Sequence, residues 1–143
     1  MVAIFEQGFF MTLFKELDKA VKWICLRLVT VFTKVDDKKI IFLNFTGNYD
    51  CNPKGVCEGI LKAGYKCKLV WTVMKGTRTG PMFFPKKVKT VQRYTYAFYR
   101  ELASAKVIVD NGISTAFVGY HKKHNQYLIE TWHGSLGIKK FES

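Results

Sequence analysis

Residues 39–73 read KIIFLNFTGNYDCNPKGVCEGILKAGYKCKLVWTV, and the way this stretch divides decides the fold. Lys39-Ile40-Ile41-Phe42-Leu43-Asn44-Phe45 is an apolar run of strand length, bounded by charge on one side and Gly47 on the other. Cys67 to Val73 is a second such run. Between them Asn52 suits a helix N-cap, Pro53 the first helical position and Gly64 the helix end. Two apolar runs joined by a helix of about ten to twelve residues predict a βαβ unit with parallel strands.

Outward from this unit the alternation continues. KGTRTGPMFFP (75–85) is a loop, and a short strand follows from Val88 to Val91. Tyr94 to Ala105 has helical periodicity, with Phe98 and Leu102 directed at the core. The aromatics Tyr94, Tyr96, Phe98 and Tyr99 are expected to pack there rather than stack on nucleic-acid bases. Lys106 to Asp110 is a strand stopped by Asn111-Gly112. A basic loop from Tyr120 to Asn125 leads to a last strand, Tyr127 to Thr131. Lys86, Lys87, Lys89 and Arg93 read as a solvated face. The pattern predicts an α/β, Rossmann-like fold with a mostly parallel sheet. No G-x-G-x-x-G follows any strand, so nothing points to a dinucleotide.

In open α/β sheets ligands gather outside the carboxyl ends of the strands. Residues 45–52, 111–114 and 132–135 should meet there. The candidate substrate-binding residues are therefore Asp50, Asn52, Asn111, Trp132, Gly134 and Ser135, with His133 among them as the titratable group. The N–H groups near Asn52 could also receive a phosphate. His121 and His124 flank two lysines in the basic loop and read as solvated.

The segment 1–36 differs from 37–143. Leu13, Leu17, Val21, Ile24, Leu28 and Val31 recur at spacings of three and four, the stripe of an amphipathic helix. Charges interrupt it too often for a membrane span. Two readings fit: a helix packed on the domain, or an interfacial helix on an anionic membrane. In the second, Phe10, Phe14 and Trp23 enter the headgroup boundary while Lys19 and Lys22 meet the lipid charge.

The net charge of +12 over 143 residues favours polyanionic partners without choosing among nucleic acid, membrane and phosphorylated substrate. Four cysteines without a C-x-x-C pair read as reduced thiols, and no metal site is predicted. The N-terminus has no basic n-region, which argues against a cleaved signal peptide.

Three segments resemble a known family. FTGNYDCNPKGVCEGIL (45–61), YRELASAKVIVDNG (99–112) and YLIETWHGSLGIKKFE (127–142) are similar to the strand–loop–helix, helix–strand and Thr-Trp-His-Gly motifs of the bacterial CDP-glycerol glycerophosphotransferases. These enzymes build teichoic acid and related capsular polymers. The resemblance implies one Rossmann-like half of a GT-B-type fold. It implies transfer of glycerol phosphate, or a related polyol phosphate, from a CDP-linked donor to a hydroxyl of a lipid-linked polymer. CMP is released at the cytoplasmic membrane face, and no cofactor is needed. His133 takes the role of general base on the acceptor hydroxyl. Glu130 and SLGIKK (135–140) depart from the commoner forms of the last motif, which bears on the polyol transferred. The donor-binding half is expected beyond Ser143, and the isolated chain is expected to be inactive. A basic nucleic-acid-binding module and a non-enzymatic membrane-associated remnant are the alternatives.

Overall fold

The computed structural model describes residues 17, 20, 21, 24, 27–112 and 119–132. The chain divides into two units, Met1–Thr33 and Lys34–Ser143. In the first, the described residues 17, 20, 21, 24 and 27–32 are helical. Leu17, Val21, Ile24, Leu28 and Val31 of the predicted stripe are all exposed. Among the described residues no helix is long and apolar enough to cross a membrane. The candidate membrane residues Phe10, Phe14, Lys19, Lys22 and Trp23 lie outside the described residues.

The second unit holds β1 (Asp36–Leu43), α1 (Cys51–Lys62), β2 (Lys68–Val73), β3 (Val88–Gln92), α2 (Tyr96–Ser104), β4 (Ala105–Asp110) and β5 (Tyr127–Glu130). The strands form one sheet in the order β3-β2-β1-β4-β5. Every pairing is parallel, so the predicted α/β, Rossmann-like architecture is present. The inner strands show why their runs lack alternation. Ile41, Phe42 and Leu43 of β1 are buried, as are five successive residues of β2, because both faces of a parallel sheet are covered. β5, at the edge, exposes all four of its residues.

The core centres on Trp71. Phe42 stacks on it at 5.3 Å between ring centroids, and Tyr49 and Phe84 close in at 4.7 and 6.2 Å. Phe84 comes from the connection between β2 and β3, so part of that predicted loop packs inside. Cys57 is buried in the same cluster, and burial pushes its thiol above the ordinary value.

Three local expectations need correction. Asp50, not Asn52, occupies the cap of α1, and its side chain makes no capping bond there. Pro53 is thus the third helical residue, still within the turn whose N–H groups have no helical partner. Tyr94 and Tyr96 are exposed, because α2 starts at Tyr96 behind a Thr95 cap that accepts from the Phe98 N–H. Phe98 and Leu102 are fully buried, as expected.

Tyr120, which opens the basic loop, packs inside. It is buried, and its hydroxyl donates to Gln126 Oε1 at 2.6 Å. Gln126 in turn donates to the carbonyls of Leu102 and Ala105 at 2.9 and 2.7 Å, tying the approach to β5 onto the end of α2. Finally, Lys89 and Arg93 are not simply solvated. Lys89 pairs with the buried Glu101 at 2.5 Å, and Arg93 is buried.

Candidate functional site

β1 is followed on one side by β2 and β3, and the chain then returns to place β4 on the other side of β1. The reversal leaves a crevice at the carboxyl ends of β1 and β4, the usual ligand position in such sheets. The first residue beyond each strand is an asparagine, Asn44 after β1 and Asn111 after β4, and both are fully buried.

These two side chains bridge the strands. Asn111 Nδ2 donates to Asn44 Oδ1 at 2.9 Å, and Asn111 Oδ1 accepts from the Phe45 N–H at 3.0 Å. Asn44 Nδ2 donates to the Asn48 carbonyl at 2.9 Å and to the Asp50 carboxylate. Thr46 Oγ1 donates to the same carboxylate at 3.2 Å. The loop between β1 and α1 is therefore wound around one amide. Gly47 makes the winding possible at φ 78°, with the Met74 backbone N only 2.6 Å from where a Cβ would stand.

Arg93 braces the frame from just beyond β3. Its Nη2 donates to the Asn44 carbonyl at 2.6 Å and its Nε to Thr72 Oγ1 at 3.0 Å. Burial pulls its guanidinium below the ordinary value, and the negative charge of Asp110 opposes that shift.

The last strand is held in two ways. Thr131 N and Oγ1 both donate to the Asp110 carbonyl, at 2.7 and 3.1 Å. Asn52 Nδ2 donates to the carbonyls of Thr131 and Trp132, at 2.8 and 2.7 Å. The three predicted segments thus meet through their described residues. Asn52 and Asn111 have side chains engaged in joining them, Asp50 is bonded within the loop between β1 and α1, and Trp132 is exposed at 56%. His133, Gly134 and Ser135 lie outside the described residues.

Beside this edge runs an open groove of about 380 Å³ lined by Asn48, Tyr49, Gly76, Thr77, Arg78, Phe83 and Phe84. It offers a guanidinium and aromatic walls, a combination suited to a phosphate with a short carbon chain. Asn44, Thr46, Arg93, Asp110 and Thr131 escaped the sequence reading. The signals that pointed to some of them are a polar residue at the end of an apolar strand run, as at Asn44 and Asp110, the place of Thr46 within residues 45–52, and the Thr-Trp-His-Gly motif that begins at Thr131.

Comparison with known proteins gives a consistent picture. Residues 25–142 match the family model described as CDP-Glycerol:Poly(glycerophosphate) glycerophosphotransferase. A teichoic acid poly(glycerol phosphate) polymerase of Staphylococcus epidermidis is 28% identical over 102 residues, which is 71% of this chain and 14% of that protein. The solved wall teichoic acid polymerase TagF superposes with a TM-score of 0.65 at 27% identity, covering 85% of this chain and 29% of that one. A histidine-to-asparagine variant of TagF soaked with CDPG superposes at 0.64 and 27%, covering 86% and 32%. The chain therefore spans about a seventh of the curated relative and less than a third of the solved polymerase chains.

Proposed function

The chain belongs to the CDP-glycerol:poly(glycerophosphate) glycerophosphotransferase family, and from that premise we propose that it is the acceptor-side, Rossmann-like part of such an enzyme. The reaction moves glycerol phosphate, or a related polyol phosphate, from CDP-glycerol to a terminal hydroxyl of a lipid-linked cell-envelope polymer and releases CMP. His133 removes the proton from the attacking hydroxyl. The oxygen then attacks the donor's β-phosphorus, the bond to CMP breaks, and CMP carries away the electron pair.

The observation that carries this reading is the convergence at the switch-point crevice. The described part of the Thr131-Trp132-His133-Gly134 motif directly follows β5 and is bonded both to β4, through Asp110, and to the start of α1, through Asn52. A neutral imidazole, with an ordinary pKa of about 6.5, suits a base working near neutrality. The groove at Arg78 offers the acceptor's phosphodiester chain a recess. Donor binding calls on residues outside this chain, so these 143 residues alone are expected to be inactive. On this reading the acceptor is lipid-linked and the reaction runs at the cytoplasmic face of the membrane. The net charge of +12 and the exposed apolar stripe of the first unit support peripheral attachment to an anionic surface.

CMP release from CDP-glycerol in the presence of a glycerol-phosphate-primed lipid acceptor tests the reading. In the intact protein His133→Ala is expected to lower turnover about 10²- to 10⁴-fold. A variant within twofold of wild type, or robust turnover by the isolated chain, contradicts it.

A further inference from the structure

We propose that Asn52 is a positioning residue for the transfer reaction, its amide holding the backbone that leads into His133. The inference rests on the reading of His133 as the base. Asn52 Nδ2 reaches the Thr131 carbonyl at 2.8 Å and the Trp132 carbonyl at 2.7 Å. One NH₂ group has two N–H donors, and here each is matched to one of two successive peptide groups. The strand ladder does not extend this far, because the register of β5 on β4 ends at Glu130 opposite Asp110. A peptide group is planar, so holding the Trp132 oxygen sets the direction in which the chain leaves Trp132.

The backbone on both sides of the contact supports the same assignment. Among the described residues three non-glycines have positive φ, and two of them belong to this contact. Cys51, at 57°, directly precedes Asn52, and Trp132, at 52°, supplies one of the carbonyls. Such a conformation is unfavourable for a residue with a Cβ and persists where the surroundings impose it. Asn52 also makes no helix cap, the usual employment of an asparagine at this end of a helix, since the cap position belongs to Asp50. Its amide is spent across the crevice.

A role confined to stability is answered by Thr131. Its N–H and hydroxyl both bond the Asp110 carbonyl independently of Asn52. Removing the Asn52 amide therefore leaves the Thr131 bonds to Asp110 in place and takes away the two bonds that hold the Thr131 and Trp132 carbonyls. A general base must come within hydrogen-bond reach of its proton, so the loss falls on turnover rather than on donor binding.

Asn52→Asp keeps the shape, removes both donors and sets a carboxylate against two carbonyls; Asn52→Ala removes the donors without the repulsion and serves where the first variant fails to fold. In the intact protein kcat for CMP release is expected to fall about 10- to 100-fold, with KM for CDP-glycerol and thermal midpoint near those of wild type. Fluorine NMR of 5-fluorotryptophan-labelled protein gives a readout that needs no activity. The Trp132 resonance, assigned with Trp132→Phe, is expected to shift while that of Trp71 stays. An unchanged kcat, an unmoved Trp132 resonance, or a loss that only tracks a lowered thermal midpoint overturns the proposal. His133→Ala measured alongside separates the two readings. Loss of activity there with Asn52→Asp fully active removes the positioning role alone, whereas an active His133→Ala removes the base and this inference with it.

Discussion

Asn44 shows how one buried side chain can hold the frame of a site. Fully buried at the end of β1, it takes part in bonds to Asn111, Asn48, Asp50 and, through its carbonyl, Arg93. Buried amides are tolerated when satisfied in this way. Gly47 is the second fixed point, because its φ of 78° and its approach to Met74 both exclude a side chain. Gly76 separates the two effects, having φ 89° and open space where a Cβ would stand. Gly76→Ala is expected to cost about 1 kcal/mol of unfolding free energy from backbone conformation alone. Gly47→Ala should cost about 3 kcal/mol, since the Met74 backbone must also move. Urea unfolding of the two variants measures the difference, and equal losses would show that the close approach is relieved at little cost. The sequence located Asp50, Asn52 and Asn111 by their place at strand ends. It could not show which residues they bond, since partners up to 80 residues apart leave no periodic trace.

At the scale of elements, the apolar runs located every described strand of the second unit to within a few residues, and Phe98 and Leu102 gave the inner face of α2. The start of α1 was misread because Asn-Pro is a common helix opening, while here Asn44 and Thr46 claim the Asp50 side chain and the turn begins earlier. Glu101 was not legible at all. Its carboxylate, on α2, binds Lys39 of β1 at 2.6 Å and Lys89 of β3 at 2.5 Å. Burial alone would raise its pKa, but the hydrogen bonds from the two lysines outweigh it and hold the group below the ordinary value. A depressed carboxylate contributes stability above its unfolded pKa, about 4.3, and loses it as pH falls through the lower folded value. Lys89 is largely exposed, so most of the effect comes from the partly buried Lys39. Glu101→Gln is therefore expected to lower stability by about 2 kcal/mol at pH 7. The gap to wild type should close as pH drops below about 4. Denaturant midpoints at pH 7, 5 and 3 test this, and a gap independent of pH would assign the loss to packing instead of charge.

For the molecule as a whole, the motifs carried the family and the alternation carried the fold, while charge and composition alone left several partners open. The Rossmann-like half of a GT-B-type fold expected from those motifs matches the architecture shared with TagF. The parallel sheet brings the loops after β1, β4 and β5 to one crevice, and the buried asparagines make that crevice a rigid frame. What distinguishes the account is the task it gives to the motif beginning at Thr131: proton removal from an acceptor hydroxyl. The measurement that tests this most directly is the pH dependence of kcat/KM for CMP release by the intact protein, with wild type and His133→Ala compared. The account predicts an acidic limb in the range where an ordinary imidazole titrates, about 6.5, present in wild type and missing from the residual activity of the variant. The same limb at the same pH in both proteins would contradict it and assign the base to another group.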